Sequence, residues 1–270
     1  MAEIITSVHN PRVKNIIQLQ SKSRERKSQN TIVIEGYREI IRAIIGGLRL
    51  NEIFYCPDID TVHRLSDLTT MYSSVSLTET SRQVFEKIAY RETSDGLIAL
   101  ATPAKLTLSQ LRTSKFPLII VLEAVEKPGN LGAIMRTADA AGVDAVIVCD
   151  PLSDIYNPNV IRSSVGCVFT VPVVASDTRE AQQWLTDNNI KSYAAALTPG
   201  AVSYESINYH EACAIILGTE ATGLSEKWLN FCNCQIIIPM HGIADSLNVS
   251  TSAAIIVFEA LRQRRLNKKF

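Results

Sequence analysis

A chain of 270 residues is long enough for one or two domains at about 150 residues each, so a minimal scaffold stapled by disulfides or metal is excluded. Lys and Arg number 27 and Asp and Glu number 27; the formal charge is zero, which excludes a uniformly basic nucleic-acid binder and leaves only local charge to argue from. Hydrophobic residues make up 46% and charged residues 20%, an ordinary globular balance that argues against disorder and low complexity.

The first 29 residues read as a polar, basic helical arm, with Arg12, Lys14, Lys22, Arg24, Arg26 and Lys27 against one interior acid, Glu25. Such a run is either a solvated face or a track for phosphates. From Thr31 to Thr102 the apolar strands TIVIEG, EIFYC and GLIALA alternate with amphipathic stretches at 37–47 and 78–89, the pattern of a small α/β domain in a compact three-layer unit. The N-terminus has no basic start followed by an apolar stretch, so no secretory signal is expected. The longest apolar runs, 117–125 and 253–261, fall short of the roughly 18 residues that cross a bilayer, and a cytoplasmic protein with no membrane partner is expected.

Past a soft boundary near 101–110 the pattern sharpens. FPLIIVLEA, DAVIVCD, VFTVPVV, YAAALT, ACAIILG and CQIIIP are continuous apolar runs, as expected of strands buried on both faces of a parallel sheet. Helices are expected at 130–141, 158–165, 177–187 and 222–230, with a long closing helix over 246–266. The expected organisation is an N-terminal domain over 1–103, a linker over 104–115 and a second α/β domain over 116–270. The six cysteines lack paired CxxC spacing and read as reduced core thiols, with Cys232 and Cys234 as a CxC fragment the alternative. His9, His63, His210 and His241 are isolated and form no HExxH pair, so no metal is expected.

Ligands in such sheets bind where the carboxyl ends of strands open into loops. Three loops are informative. In EKPGNLGAIMRTADAAG, Pro128 and Gly129 stop the strand, Asn130 can cap a helix and Gly132 leaves backbone exposed. Taken alone, Asn130 is a plain cap and Arg136 a solvated surface cation. ILGTEATGLS sets Gly218, Gly223 and Leu224 around Glu220, but has neither the GxGxxG spacing nor the Lys-Ser or Lys-Thr pair of nucleotide loops. What remains is a bare backbone turn beside a carboxylate, compatible with an adenosine or ribose pocket or with a tight turn alone. In IIIPMHGIADSLNVSTSAAI, Pro239 to Gly242 break a strand and Ser246, Leu247, Asn248 and Ser250 open a helix. Ser246 or Ser250 could be its cap, or Ser246 and Asn248 could point into a site.

In order and spacing, NLGxxxRTADAAG, LGTEATGLS and IPMHGIADSLNVSxxAA resemble the three motifs of the SpoU (TrmH) branch of the SPOUT RNA methyltransferases. DIYNPNVIRSSVGCVFTVPV resembles the segment between the first two. SVHNPRVKNIIQLQSKSRER followed by IVIEGYREI resembles the ribosomal-protein-L30e-like substrate-binding domain of the rRNA 2′-O-ribose methyltransferases. Nearly the whole chain falls within this resemblance. It implies a C-terminal α/β domain whose parallel sheet is threaded into a deep trefoil knot, an architecture that composition alone argues against because knotted chains are rare.

The resemblance further implies a homodimer and S-adenosylmethionine bound in the knot. Carried over by position, Gly218, Ile238 and Leu247 offer backbone contacts to the adenosine, and Ala196, Leu197, Thr219, Glu220, Pro239 and Met240 line the same pocket. The implied reaction moves the methyl group of the cofactor to a ribose 2′-hydroxyl of RNA, most readily 23S rRNA. Arg136 is the family's candidate base; because a guanidinium stays protonated in proteins, a positioning role suits it better. Asn130 would hold Arg136 or the ribose, while Glu220, Ser246 and Asn248 orient the ribose. The site is expected at the dimer interface, so that Arg136 acts beside the partner's cofactor. The basic arm would grip RNA, and the C-terminal cations Arg262, Arg264, Arg265, Lys268 and Lys269 would support the dimer or flank the site.

The chain departs from the family's usual text at Glu123, Lys127, Thr251 and Ser252. A tRNA substrate, a non-catalytic RNA-binding or ribosome-assembly factor of the same fold, and self-protection by 23S rRNA methylation are the alternatives.

Overall fold

The computed structural model describes residues 4–267 apart from Thr61, His63, Ser73, Ser74 and Glu220. Two compact units emerge. One runs to Ala104 and also takes in Tyr156–Thr170, while the other holds Lys105–Ile155 and the chain from Val171 onward. The sequence reading keeps 156–170 in the second domain; the structure packs that segment with the first unit.

In chain order the first unit begins with β1 (Ile4–Ile5), α1 (Pro11–Ser21), α2 (Ser23–Gln29), β2 (Ile32–Glu35) and α3 (Tyr37–Ile45). β3 (Arg49–Tyr55), α4 (Arg64–Met71), β4 (Ser76–Thr80), α5 (Arg82–Ile88) and β5 (Leu97–Thr102) follow. The five strands form a mixed sheet of order β1-β4-β3-β5-β2, with β5 antiparallel to both of its neighbours. The basic N-terminal stretch is not a solvated arm. Asn10 caps α1 through its side chain, and Val13, Ile16 and Leu19, spaced at three, bury one face of the helix against Phe54, Val84, Phe85 and Ile88. Each such aliphatic side chain contributes about 1.5–3 kcal/mol by leaving water. The expected helix over 78–89 starts later: Thr78 and Thr80 are buried in β4, and Ser81 caps α5 by accepting from the Val84 N–H.

The second unit opens with β6 (Leu118–Glu123), α6 (Pro128–Ala141) and β7 (Ala145–Cys149). α7 (Pro158–Ser163) belongs to the inserted segment of the first unit, where it packs against β2. Then come β8 (Val173–Ser176), α8 (Thr178–Asp187), β9 (Lys191–Ala195), β10 (Val202–Ser203), β11 (Cys213–Leu217), α9 (Glu226–Phe231), β12 (Cys234–Ile237) and α10 (Val249–Asn267). All seven strands pair in parallel in the order β10-β12-β9-β11-β6-β7-β8. Every residue of β6, β7 and β11 is buried, which is why these segments read as unbroken apolar runs. Helices cover the sheet, α8 and α9 sending Ala181, Leu185 and Trp228 into a core with Ile119, Val121, Ile147 and Ile216. The expected VFTVPVV strand is shorter, because Cys167–Phe169 form a 3-10 turn and pairing begins at Val173.

Two polar groups lock this unit. Glu123, at the end of β6, is buried and accepts from the Ser225 N–H (2.8 Å) and the Ser225 hydroxyl (2.6 Å), fixing the start of α9. The Arg264 guanidinium donates to the carbonyls of Tyr209 (2.8 Å), Phe116 (2.6 Å), Pro117 (3.1 Å) and Glu211 (2.8 Å), tying α10 to the sheet. No helix among the described residues is long and apolar enough to cross a membrane.

Candidate active site

β12, β9 and β11 are neighbours in the sheet, and the loops at their carboxyl ends converge on a cleft of about 630 Å³, within the range of small-molecule sites. Ala195 ends β9 and Ala196–Thr198 follow it, Gly218, Thr219 and 221–224 follow β11, and Ile238, Met240 and 245–249 follow β12. Of the expected cofactor positions, Ala196, Leu197, Gly218, Thr219, Ile238, Met240 and Leu247 line this cleft, as do Ser246 and Asn248. Pro239 is exposed and does not line it. Glu220 lies outside the described residues.

The β11 loop is closed by its own backbone. Thr219 and Gly223 exchange two hydrogen bonds of 3.1 Å, and Gly223 takes a left-handed φ of 68°. At Gly218 a Cβ would collide with the Gly223 carbonyl and the Leu224 nitrogen, so only glycine permits this closure. Thr222 donates its N–H to the Thr219 hydroxyl (3.0 Å), and the two threonine hydroxyls lie 2.8 Å apart within the turn.

The first motif sits differently from the simplest expectation. α6 begins at Pro128 after Lys127, so Asn130 is a first-turn helical residue and not the cap, and Gly132 is buried rather than exposed. With no capping duty, the Asn130 amide faces the third motif, where its Oδ1 accepts from Asn248 Nδ2 at 3.2 Å. Asn248 is itself the cap of α10: its carbonyl accepts from the Ser252 N–H (2.9 Å) and its Oδ1 from the Ser250 N–H (2.9 Å) and hydroxyl (2.6 Å). Neither Ser246 nor Ser250 caps the helix. Arg136 stands on the exposed face of α6 and is not a lining residue of this cleft.

The expected RNA-binding cations divide. Lys14, Lys22, Arg24 and Lys27 are exposed. Arg26 is 4% exposed and donates to the Leu19 (2.6 Å) and Gln20 (3.1 Å) carbonyls at the end of α1, a structural task that keeps it from the surface. Arg12 pairs with Glu52, donates to the Thr78 hydroxyl (2.7 Å) and lies over the Phe54 ring. At the other end Arg264 is bound to carbonyls, Arg262 pairs with Glu259 (2.7 Å), Arg265 is exposed, and Lys268 and Lys269 lie outside the described residues.

The thiols take no part. Cys56, Cys149, Cys167 and Cys213 are buried, and burial pushes the Cys213 thiol up to about 11. No group of three metal-ligating side chains occurs among the described residues. Lining residues that the motifs did not single out include Thr198, Thr222, Asp245 and Ser252; only Asp245, beside Ser246, carried a signal, as a charged residue inside the third loop.

The donor set suits an adenosine-type ligand. Ala195, Ala196, Leu197, Ile237, Ile238 and Met240 offer an apolar floor, the glycine-closed turn at Gly218 lets backbone approach closely, and Thr219, Ser246 and Asn248 make a polar rim.

Comparison with known proteins agrees. Residues 117–258 match the SpoU rRNA Methylase family and residues 10–99 the MRM3-like substrate binding domain. The 23S rRNA (guanosine(2553)-2′-O)-methyltransferase RlmP of Bacillus subtilis (strain 168) is 33% identical over 254 residues, covering 94% of this chain and 97% of its own. A crystal structure of an RNA 2′-O ribose methyltransferase superposes with a TM-score of 0.82 at 40% identity, covering 97% and 99% of the two chains. The AdoMet-bound rRNA methyltransferase of Sinorhizobium meliloti gives 0.86 at 27% identity, covering 97% and 98%. With a family match over more than half its length and a relative aligned from end to end, the chain is a methyltransferase of the SpoU rRNA methylase family.

Proposed function

We propose that this chain methylates a ribose 2′-hydroxyl of RNA, with S-adenosylmethionine as donor and 23S rRNA as substrate. The observation that carries the reading is the Asn130–Asn248 hydrogen bond, which brings the first turn of α6 to the rim of the β9/β11/β12 cleft. That juxtaposition supports a donor in the cleft and an acceptor at the α6 end. S-adenosylmethionine supplies an activated methyl group when bound. Gly218, Ile238 and Leu247 hold its adenosine through backbone groups. Asn130, Ser246 and Asn248 orient the acceptor ribose, and alignment of the hydroxyl with the methyl carbon is the main contribution of the site.

Arg136 positions the nucleophilic oxygen or a neighbouring phosphate, a task suited to the donor fork of a guanidinium. It lies off the cleft of its own chain, which supports a homodimer in which it reaches the partner's cofactor. Exposed apolar side chains on α10, Phe258 and Leu266, support the same association. The C-terminal chain is read as knotted: β12 returns to lie between β10 and β9, after the chain has crossed to β11 on the other side. The substrate-binding match at 10–99 and the end-to-end alignment with an rRNA enzyme favour rRNA over tRNA, and a cytoplasmic location follows from that substrate. Lys14, Lys22, Arg24 and Lys27 supply the charge for phosphates.

Arg136→Ala tests the assignment. Methyl transfer to rRNA is expected to vanish while calorimetric affinity for S-adenosylmethionine stays within about twofold; full activity in the variant contradicts the role given to Arg136.

A further inference from the structure

The cleft has an uneven lining. Its floor is apolar, and Asp245, Ser246 and Asn248 make its rim polar. Among the described lining residues Asp245 alone carries a formal charge; no Lys, Arg or His joins it, and the other polar side chains are neutral hydroxyls and amides. Asp245 is exposed, and its Oδ1 accepts from the Ser246 hydroxyl at 3.3 Å. The Asp245 carboxylate beside an apolar floor makes the rim a place for positive charge, because no described lining residue supplies a cation to offset it.

The ligand proposed above is distinguished from its product by one charge. The methyl donor is a sulfonium; the product is the corresponding thioether, and both share an ammonium and a carboxylate that cancel. The reacting end belongs at the 245–248 rim, because Asn248 there meets Asn130 at the start of α6, where the acceptor ribose is placed. We propose that Asp245 is the specificity-determining residue by which the site tells the charged donor from the uncharged product, its carboxylate serving as counter-charge to the sulfonium. This inference rests on the methyltransferase reading and deepens it. During transfer the 2′-oxygen forms its bond to the methyl carbon, the carbon–sulfur bond breaks with its electron pair going to sulfur, and the hydroxyl proton passes to solvent. The positive charge beside Asp245 is thereby lost, and the attraction that held the donor is absent for the product.

Calorimetric titration of the full chain tests this, using S-adenosylmethionine, sinefungin (an amine cation in place of the sulfonium) and S-adenosylhomocysteine. Asp245→Asn keeps the side-chain size and removes the charge. The expected result is a loss of about fivefold for the two cationic ligands, as for a partly exposed ion pair, and a change under about twofold for the thioether. Asp245→Glu is expected to keep the preference for the cations, and in the wild type that preference shrinks as salt rises. Equal losses for all three ligands in Asp245→Asn, or a wild-type preference insensitive to salt, overturn the role of Asp245 while leaving the methyltransferase reading in place. Failure of the wild type to bind any of the three overturns that reading and this inference with it.

Discussion

Asn248 serves two helices at once: its Oδ1 accepts from the Ser250 N–H at the start of α10, and its Nδ2 donates to Asn130 Oδ1 in the first turn of α6. The two asparagines should therefore fail in different ways. Asn130→Ala removes the amide that meets the acceptor and leaves the α10 cap in place, so methyl transfer is expected to fall by at least about tenfold with cofactor affinity and melting temperature nearly unchanged. Asn248→Ala also removes a cap, which costs about 1 kcal/mol, so its melting temperature should fall together with activity. Thermal melts read beside methyl incorporation separate the two; a stable, fully active Asn248→Ala refutes the double role.

Gly218 is the position where the cleft has least tolerance. A methyl group there meets backbone of Gly223 and Leu224 rather than a movable side chain, so Gly218→Ala must open the Thr219–Gly223 pairing. Loss of calorimetric cofactor binding is expected while the circular dichroism of the fold is retained. Unchanged affinity would show that the turn is not part of the binding surface.

Cations that look alike in the sequence should separate by experiment. Neutralising Lys14, Lys22, Arg24 and Lys27 together is expected to lower RNA affinity and flatten its salt dependence, each lost phosphate contact removing about 0.7–0.9 from the logarithmic slope. Arg264→Ala removes the guanidinium from four backbone carbonyls, of which Pro117 keeps the Cys213 N–H, and is expected to destabilise the second unit by about 2–4 kcal/mol, with the salt slope of RNA binding unchanged. Denaturant melts and filter binding at several salt concentrations check both halves.

Glu35 sets a pH dependence in the first unit. Burial raises its carboxyl above the ordinary value of 4.5, against the opposing Tyr90 N–H bond (2.7 Å) and the nearby Arg91. The folded chain therefore holds this proton more tightly than the unfolded chain, so the contribution is fully present below pH 4.5 and is lost as pH rises through the higher folded value. Glu35→Gln should remove that decline. An unfolding free energy whose pH slope above 4.5 is identical in wild type and variant contradicts it.

What the sequence disclosed depended on how much of the pattern burial alone decides. β6, β7 and β11 are buried on both faces, so their runs could not be mistaken, and a parallel sheet with sites at its strand ends followed. β4 was hidden because four of the five residues of SLTET are polar and its burial comes from partners, not from composition. The insertion of 156–170 into the first unit is a tertiary choice that no local period records. For the site, Gly218, Thr219, Ile238, Met240, Ser246, Leu247 and Asn248 of the second and third motifs line one cleft, yet the motifs gave no means of seeing that Asn130 is not a cap, that Arg26 and Arg264 are bound to carbonyls, or that Asp245 is the one charge among the described lining residues. Those facts depend on which groups lie within about 3 Å in three dimensions, and spacing along the chain does not encode that.

Methyl transfer to a ribose of rRNA is read by mass-spectrometric mapping of 23S rRNA incubated with the purified chain and isotopically labelled S-adenosylmethionine. Label is expected at the 2′-oxygen of a defined nucleotide, and is expected to be absent when Arg136→Ala replaces the wild type. Label on a base, or no label in either rRNA or tRNA, would contradict it.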